Sequence, residues 1–310
     1  LIKDIIIIGN PIAGGGALKK IRQAVSILEN KGFNVNLMLT TQKGDAELFA
    51  RQASQQSAEC SRLLVIAAGG DGTYNEVANG LIHSNIPMAI LPLGTTSVLA
   101  KELNISNDIK ISLDIALNGK IQTIHLGKIT CKGSNEKSNS SQNNLPLVTR
   151  HFLLMAGIGF DGETVYSVNP YIKKIAGKTA YVLSGIKNIF KYNPSIITLR
   201  YDSEEKSGYN VIIGKASCYG GDFKVTPDAR LTDPYFYVFV MHQKGKLNLI
   251  RYILGIVRTK HLKLNDISYF RTSEIEIEGN AHIQIDGDYL GTTPAKIDLV
   301  TDAIKIITPK

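Results

Sequence analysis

The apolar run Leu64–Ala68 passes without a break into Gly69-Gly70-Asp71-Gly72-Thr73-Tyr74-Asn75-Glu76, and this junction limits the fold more tightly than any other feature. A short, continuous apolar run ending in glycine reads as a strand covered on both faces. Helical spacing resumes over Asn75–Leu81, so strand, glycine turn and helix follow in order, as in a parallel α/β sheet. The same alternation surrounds it. Further strands are expected at Ile5–Ile8, Val35–Leu39 and Met88–Leu91, and helices at Ala17–Lys31, Asp45–Gln56 and Asp108–Leu117. Ser106 or Asn107 is expected to cap the last of these.

After Gly119 the texture changes. Ile121–Thr130, Val148–Ala156, Ile196–Tyr201, Tyr209–Ser217, Tyr235–Met241 and Glu274–Glu278 read as strands. The alternation of Ile275 with Ile277, and of Ile283 with Ile285, predicts a sheet buried on one face. This half is expected to be mostly antiparallel β, with helices at Tyr171–Tyr192 and Lys246–Thr259. Lys132–Asn144, rich in Ser, Asn and Lys, is expected to be a disordered hairpin tip, because strands of one texture flank it. The division predicted is residues 1–124 and 125–299, with the tail from about 300 to 310 packing back on the first domain.

A content of 44% hydrophobic and 20% charged residues suits a globular chain with room for two cores. No apolar run approaches the roughly 20 residues that span a bilayer. Leu1-Ile2-Lys3-Asp4 leads at once into a strand-like run, with no signal-peptide pattern; residues ahead of Leu1 are expected to have been trimmed. Cys60, Cys131 and Cys218 lack metal-ligand spacing and are expected to be reduced, buried thiols. The net charge of +8 leaves nucleotide phosphates, nucleic acid and an anionic membrane as partners. Interleaved Arg and aromatic tracts are missing, so nucleic acid is not expected.

Glycines after Leu64–Ala68 let backbone approach a ligand closely, and the start of a helix turns N–H groups toward an anion. Asp71 beside a phosphate would call for a cation or a donor network between them. A tight turn capped by Asp71 accounts for the same letters. Two more loops follow strands on the same edge: Asn10-Pro11-Ile12-Ala13-Gly14-Gly15-Gly16 and Pro92-Leu93-Gly94-Thr95-Thr96. Ligands of parallel α/β sheets bind outside the carboxyl ends of strands, so all three loops are expected at one crevice.

The order N-P-x-x-G, G-G-D-G-T-x-N-E-V-x-N-G and P-L-G-T resembles the diacylglycerol kinase catalytic family, which includes bacterial lipid kinases and, more distantly, sphingosine and ceramide kinases. The resemblance continues through Ala156-Gly157-Ile158-Gly159-Phe160-Asp161, Tyr219-Gly220-Gly221 with Pro227-Asp228-Ala229, and Asp286-Gly287. It implies a fold with an N-terminal parallel α/β domain of the NAD kinase and diacylglycerol kinase type and a C-terminal antiparallel β-sandwich-like domain. It also implies an ATP-dependent, cytoplasmic lipid kinase using Mg2+. Asn10, Pro11, Ile12, Ala13, Gly14, Thr41, Gly69, Gly70, Asp71, Gly72, Thr73, Tyr74, Asn75 and Thr95 would contact ATP. Asp286 would be the general base that accepts the lipid hydroxyl's proton, although Asp-Gly is also a common hairpin turn. Asp233, with the carbonyls of Arg230 and Tyr235, would hold Mg2+, although Asp233-Pro234 also makes a simple turn.

Four departures from the family pattern stand out: Ala13 for Ser, Ser97-Val98 for Asn-Asp, Pro234 for Gly, and Asp288 for the Glu of D-G-E. Asp288 is kept as the second catalytic carboxylate. Ile172, Ile175, Val182, Leu183, Ile186, Ile189 and Phe190 fall at helical spacing among Lys173, Lys174, Lys178, Lys187 and Lys191. Such a helix lies on an anionic membrane surface, or packs on the β half with its lysines solvated. Arg251, Arg258, Lys260 and Lys263 would extend the basic face. A lipid substrate at an anionic membrane, visited peripherally, is therefore the expected partner, and a homodimer stays open. Two rivals remain: an NAD kinase, which shares G-G-D-G-T, and a catalytically silent nucleotide- or lipid-binding protein.

Overall fold

The computed structural model describes residues 2–56, 63–94, 96–133, 146–167 and 192–310. Cys60, Thr95, the tip of the segment 132–144 and the helix expected over 171–192, Tyr192 excepted, lie outside these residues. The chain divides into a unit of Leu1–His125 with Thr301–Lys310 and a unit of Leu126–Val300.

The first unit is built as β1 (Asp4–Gly9), α1 (Ala17–Asn30), β2 (Asn34–Leu39), α2 (Asp45–Gln56), β3 (Leu63–Gly69), α3 (Asp71–Leu81), β4 (Pro87–Pro92), α4 (Val98–Glu102) and α5 (Ile109–Asn118). β1 pairs in parallel with both β2 and β3, and β3 with β4. The chain therefore moves outward from β1 to β2, crosses back to β3, and continues to β4. That reversal between β1 and β3 is a topological switch point, where loops from neighbouring strands part and leave a crevice. Ile5, Ile7, Leu64, Ile66, Ala89 and Leu91 pack with Ile21 and Leu28 of α1 and with Leu113 of α5. Near the C-terminus, Lys305 and Ile306 lie beside Pro87 and Met88 in parallel register, and Ile307 joins this core. α5 is capped by Asp108, whose side chain accepts from Ile111 N, one residue beyond the caps expected. α3 begins at Asp71, one turn earlier than the spacing predicts, and α4 is an element that the periodicity does not reveal.

In the second unit, β5 (Lys120–Gly133) and β6 (Leu147–Phe152) form an antiparallel hairpin. There follow β7 (Met155–Ile158), α6 (Phe160–Ser167), β8 (Ile197–Tyr201), β9 (Glu204–Gly208), β10 (Asn210–Gly214), the short β11 (Cys218–Tyr219) and β12 (Phe223–Lys224), β13 (Phe236–Met241) and a helix at Lys246–Val257. β14 (Ile267–Thr272), β15 (Glu274–Gly279), β16 (His282–Ile285) and β17 (Asp288–Thr308) complete it. The antiparallel path is β14-β13-β10-β7-β16-β17, with β15, β8 and β9 continuing from β17. Ala156, Ile158, Val211, Ile213, Val238 and Val240 meet Ile275, Ile277, Ile197 and Leu199 in one core, which is the sandwich-like packing expected. The strand expected over Val148–Ala156 is broken: β6 and β7 are separate elements. Neither described cysteine forms a disulfide; Cys131 is buried as expected, whereas Cys218 is only partly buried. Burial pushes the Cys131 thiol up to about 11, so it packs as a small apolar group.

Candidate active site

The loops after β1, β3 and β4 pack on one another at the switch point. Leu93 N and Gly94 N both donate to Gly69 O, at 2.8 and 3.0 Å. A Cβ on Gly94 would come within 3.0 Å of Gly70 Cα, and one on Gly14 within 2.5 Å of Leu93 O. Glycine at these two positions is required by contact between loops. Gly72 differs. It sits in the first turn of α3, is exposed, and a Cβ there would meet no protein atom within 4 Å. The fold therefore gives no steric reason for glycine at 72, and its backbone is open to close approach. The N-cap of α3 is Gly70 and that of α1 is Gly16, and neither end carries a side-chain cap. Their first-turn N–H groups give the crevice its preference for anions.

The polar letters of the β3–α3 motif have been assigned unequally. Asp71 does not face the crevice as a phosphate or cation partner. Its carboxylate accepts from Val98 N and Leu99 N, both at 2.9 Å, and so fastens the start of α4 to the glycine turn. Burial pushes its carboxyl above the usual range, opposed by those two N–H donors. Tyr74 is fully buried and its hydroxyl donates inward to Gly69 O at 2.8 Å. It is a strut beneath the loop, not a ligand contact, and this corrects the expectation. Thr73 is also buried, beneath Gly69. Glu76, which carries no expected role, accepts from Gly44 N at 3.0 Å and Ala46 N at 3.2 Å, holding the start of α2. Thr41 gives both its N–H and its hydroxyl to Asp45 Oδ2, at 2.7 and 2.8 Å, and those bonds hold the Asp45 carboxyl below its usual range. Asn10 closes its own turn by accepting from Ile12 N at 3.0 Å, which leaves Ile12 72% exposed at the loop tip. Ser97 takes a left-handed φ of 36°, a conformation Asn adopts more readily than Ser.

In the second unit, Asp286 and Gly287 form the two-residue turn between β16 and β17, with φ of 48° and 87°. Positive φ at both positions is the hairpin geometry that Asp-Gly favours. The Asp286 carboxylate is bound by backbone: Leu153 N at 2.7 Å, with Leu154 N and Met155 N both at 2.9 Å. These bonds anchor the β6–β7 break and occupy three of the carboxylate's roughly four acceptor sites, so an anchoring role stands beside the general-base role expected of Asp286. Asp288, at the start of β17, is half-buried. Behind the turn, Gln284 accepts from Gly287 N at 2.7 Å and donates to Asp161 Oδ2 at 2.6 Å, while the Tyr219 hydroxyl donates to the other Asp161 oxygen. Burial pushes the Asp161 carboxyl up, and the Tyr219 and Gln284 donors oppose it. Three separated motifs are thus one hydrogen-bonded cluster, which Gln284 completes. That residue is easily overlooked, because β16 is buried on both faces and its alternation suggests a solvent-facing glutamine.

The corner at Arg230, Asp233 and Tyr235 does not fit a divalent cation. Lys215 is fully buried, and its ammonium donates to the carbonyls of Asp233 and, at 3.2 Å, Tyr235. Asp233 N donates to Arg230 O at 3.0 Å, and Asp233 Oδ2 accepts from Arg230 N at 3.2 Å. The Arg230 and Tyr235 carbonyls and Asp233 Oδ2 each accept a hydrogen bond from within the corner, and the buried Lys215 ammonium beside them disfavours a second cation. Burial pushes the Lys215 amine down to about 8, with the Asp233 charge opposing. The sequence signal was a single lysine ending the apolar run Val211-Ile212-Ile213-Gly214.

Comparison with known proteins gives matches along almost the whole chain. A family profile described as the diacylglycerol kinase catalytic domain matches residues 4–129. A second, described as the YegS C-terminal NAD kinase beta sandwich-like domain, matches residues 155–308. A protein of Staphylococcus carnosus named diacylglycerol kinase is 27% identical over 312 residues, covering 98% of this chain and 94% of that one. One of the same name from Bacillus subtilis is 28% identical, with 98% and 96% covered. A crystal structure described as a diacylglycerol kinase from Bacillus anthracis superimposes with a TM-score of 0.73 at 22% identity, covering 99% of this chain and 96% of that one, a likeness of fold.

Proposed function

The chain belongs to the diacylglycerol kinase catalytic family, a family of lipid kinases, and we propose that it transfers the γ-phosphoryl group of Mg2+-bound ATP to the hydroxyl of diacylglycerol at a membrane surface. The observation that carries the nucleotide half is the crevice between β1 and β3, where two long helices begin on uncapped glycines and Gly72 is open to close approach. In this reading Asn10 to Gly14 and the Gly69–Gly72 backbone cradle the phosphates, with Asn75 beside them. Thr95 is included by its place in the motif. Asp71, Tyr74 and Glu76 act as braces that fix these loops before the nucleotide arrives. Phosphoryl transfer needs positioning and charge neutralisation above all, so rigid loops are themselves catalytic capital. Mg2+ is assigned to the nucleotide's own phosphates, and the Lys215 corner is left out of the reaction.

Asp288 is the proposed general base, with the Asp286 anchor and the Gln284–Asp161–Tyr219 cluster holding its turn in place. Its carboxylate takes the hydroxyl proton as the lipid oxygen attacks the γ-phosphorus and ADP leaves.

Gly72→Ala tests the nucleotide half. Alanine in a helix stabilises the fold by roughly 0.5 kcal/mol relative to glycine, and the added methyl meets no protein atom. The KM for ATP is expected to rise at least about tenfold, because the methyl displaces the phosphates from the backbone. A variant with unchanged KM for ATP would remove the crevice from the account.

A further inference from the structure

The helix Lys246–Val257 carries two apolar stripes where a helix of a globular protein needs one. The inner stripe is Leu249 and Tyr252, both buried, with Ile253 and Ile256 partly so. It is fixed by Tyr252, whose hydroxyl accepts from Gln243 N at 3.1 Å and donates to Asp266 Oδ2 at 2.5 Å. The outer stripe is Leu247, Ile250, Leu254 and Val257, spaced by three, four and three residues, within an arc of about 80° centred about 130° around the axis from the inner one. Leu247 is 83% exposed, Val257 51% and Leu254 44%. Leu247, Ile250 and Leu254 line, with Leu264, a groove of about 370 Å³.

The surroundings of the outer stripe are basic. Lys244, Lys246, Arg251, Arg258, Lys260 and Lys263 are all exposed, and no carboxylate occurs from Gln243 to Asn265. Asp266, the next acid, is occupied by Arg251 and Tyr252. Phe223, 46% exposed, extends the apolar face from β12, which packs on this helix; Asp222 and Lys224 adjoin it in the chain.

We infer that this outer face is a membrane-docking surface, which lays its leucine stripe into the interface of an anionic bilayer while the surrounding cations meet the headgroups. The inference rests on the lipid-kinase reading for its purpose but not for its physics. An apolar face and a cluster of cations are the paired signals that hold a protein on such a surface. The helix is too short to span a bilayer, and among the described residues no helix is long and apolar enough to do so. A second copy of the chain is a poorer occupant. A twofold contact would set this face against itself and bring like charges together, with no carboxylate from Gln243 to Asn265 to separate them.

The test is flotation of the full chain, without ATP, with vesicles of equimolar phosphatidylcholine and phosphatidylglycerol or of phosphatidylcholine alone. The parent is expected to float with the anionic vesicles and not with the neutral ones. Leu247→Glu with Leu254→Glu, and separately Arg258→Glu with Lys260→Glu, are expected to weaken binding at least about tenfold. The second pair is exposed, so it carries the test if the first melts early. Failure of the parent to float, or unchanged flotation of both variants, overturns the inference. So does a dimer that the leucine variant dissociates while vesicle binding stays the same. Phosphorylation of a water-soluble, short-chain diacylglycerol is measured in parallel and is expected to be equal in parent and variants. Its absence everywhere, with flotation as described, would refute the kinase reading and leave the docking surface standing.

Discussion

Asp286 and Asp288 stand one glycine apart on a single turn, and the proposal gives them different tasks. Asp286 is held by the N–H groups of Leu153, Leu154 and Met155. Removing its charge leaves buried donors short of an acceptor, a loss of about 1–3 kcal/mol. Asp286→Asn is therefore expected to melt earlier and to keep most of its kcat per folded molecule. Asp288→Asn is expected to lose roughly 10²–10⁴ in kcat. Parallel melts and initial rates check the pair, and the reverse pattern would return the base to Asp286. Lys215 is tested through pH. Its ordinary value is 10.5 and its folded value about 8. Between these values the unfolded chain holds the extra proton, so this lysine makes stability rise as pH climbs from 8 to 10.5, by up to roughly 3 kcal/mol. Lys215→Met abolishes that rise, and the parent-minus-variant difference from urea melts isolates it from other titrating groups. A flat difference would contradict the buried-ammonium assignment. Chelator is expected to leave the parent's melting temperature unchanged.

At the scale of elements, α3 begins on an uncapped glycine and ties its neighbours together. Asp71 secures α4 and Glu76 secures α2, so the motif builds much of its own surroundings. Glu76→Ala is expected to destabilise the first unit by about 1–3 kcal/mol. It should also speed amide exchange at Gly44 and Ala46 more than at β3, which hydrogen-exchange measurements resolve. Equal protection at those amides would mean that Glu76 holds nothing. This scale also shows why some of the chain was legible. The strands β1 to β4 are continuous apolar runs bounded by Gly, Asn or Pro, and burial on both faces writes that pattern directly into sequence. β15 alternates cleanly because one face is exposed. α4 was missed because five residues are too few to show helical period, and it depends on a carboxylate far away in the chain. The roles of Asp71, Tyr74, Lys215 and Gln284 were illegible for a related reason. Residue type names the chemistry, but only the fold decides which way a side chain turns.

Across the whole molecule, the charge of +8 gains a location in part from the basic residues around Lys246–Val257. The three glycine-bearing loops were readable in outline, since they end three strands of one parallel sheet. The metal corner was not, because a lysine ammonium and a divalent cation satisfy the same carbonyls. What unites the molecule is the claim that this chain moves phosphate from ATP to a lipid alcohol. The most direct measurement incubates the parent chain with γ-labelled ATP, Mg2+ and either diacylglycerol in mixed micelles or NAD. Label is expected in the phosphorylated lipid, dependent on Asp288, and absent from NADP. Label in NADP, or in no acceptor at all, would contradict the account.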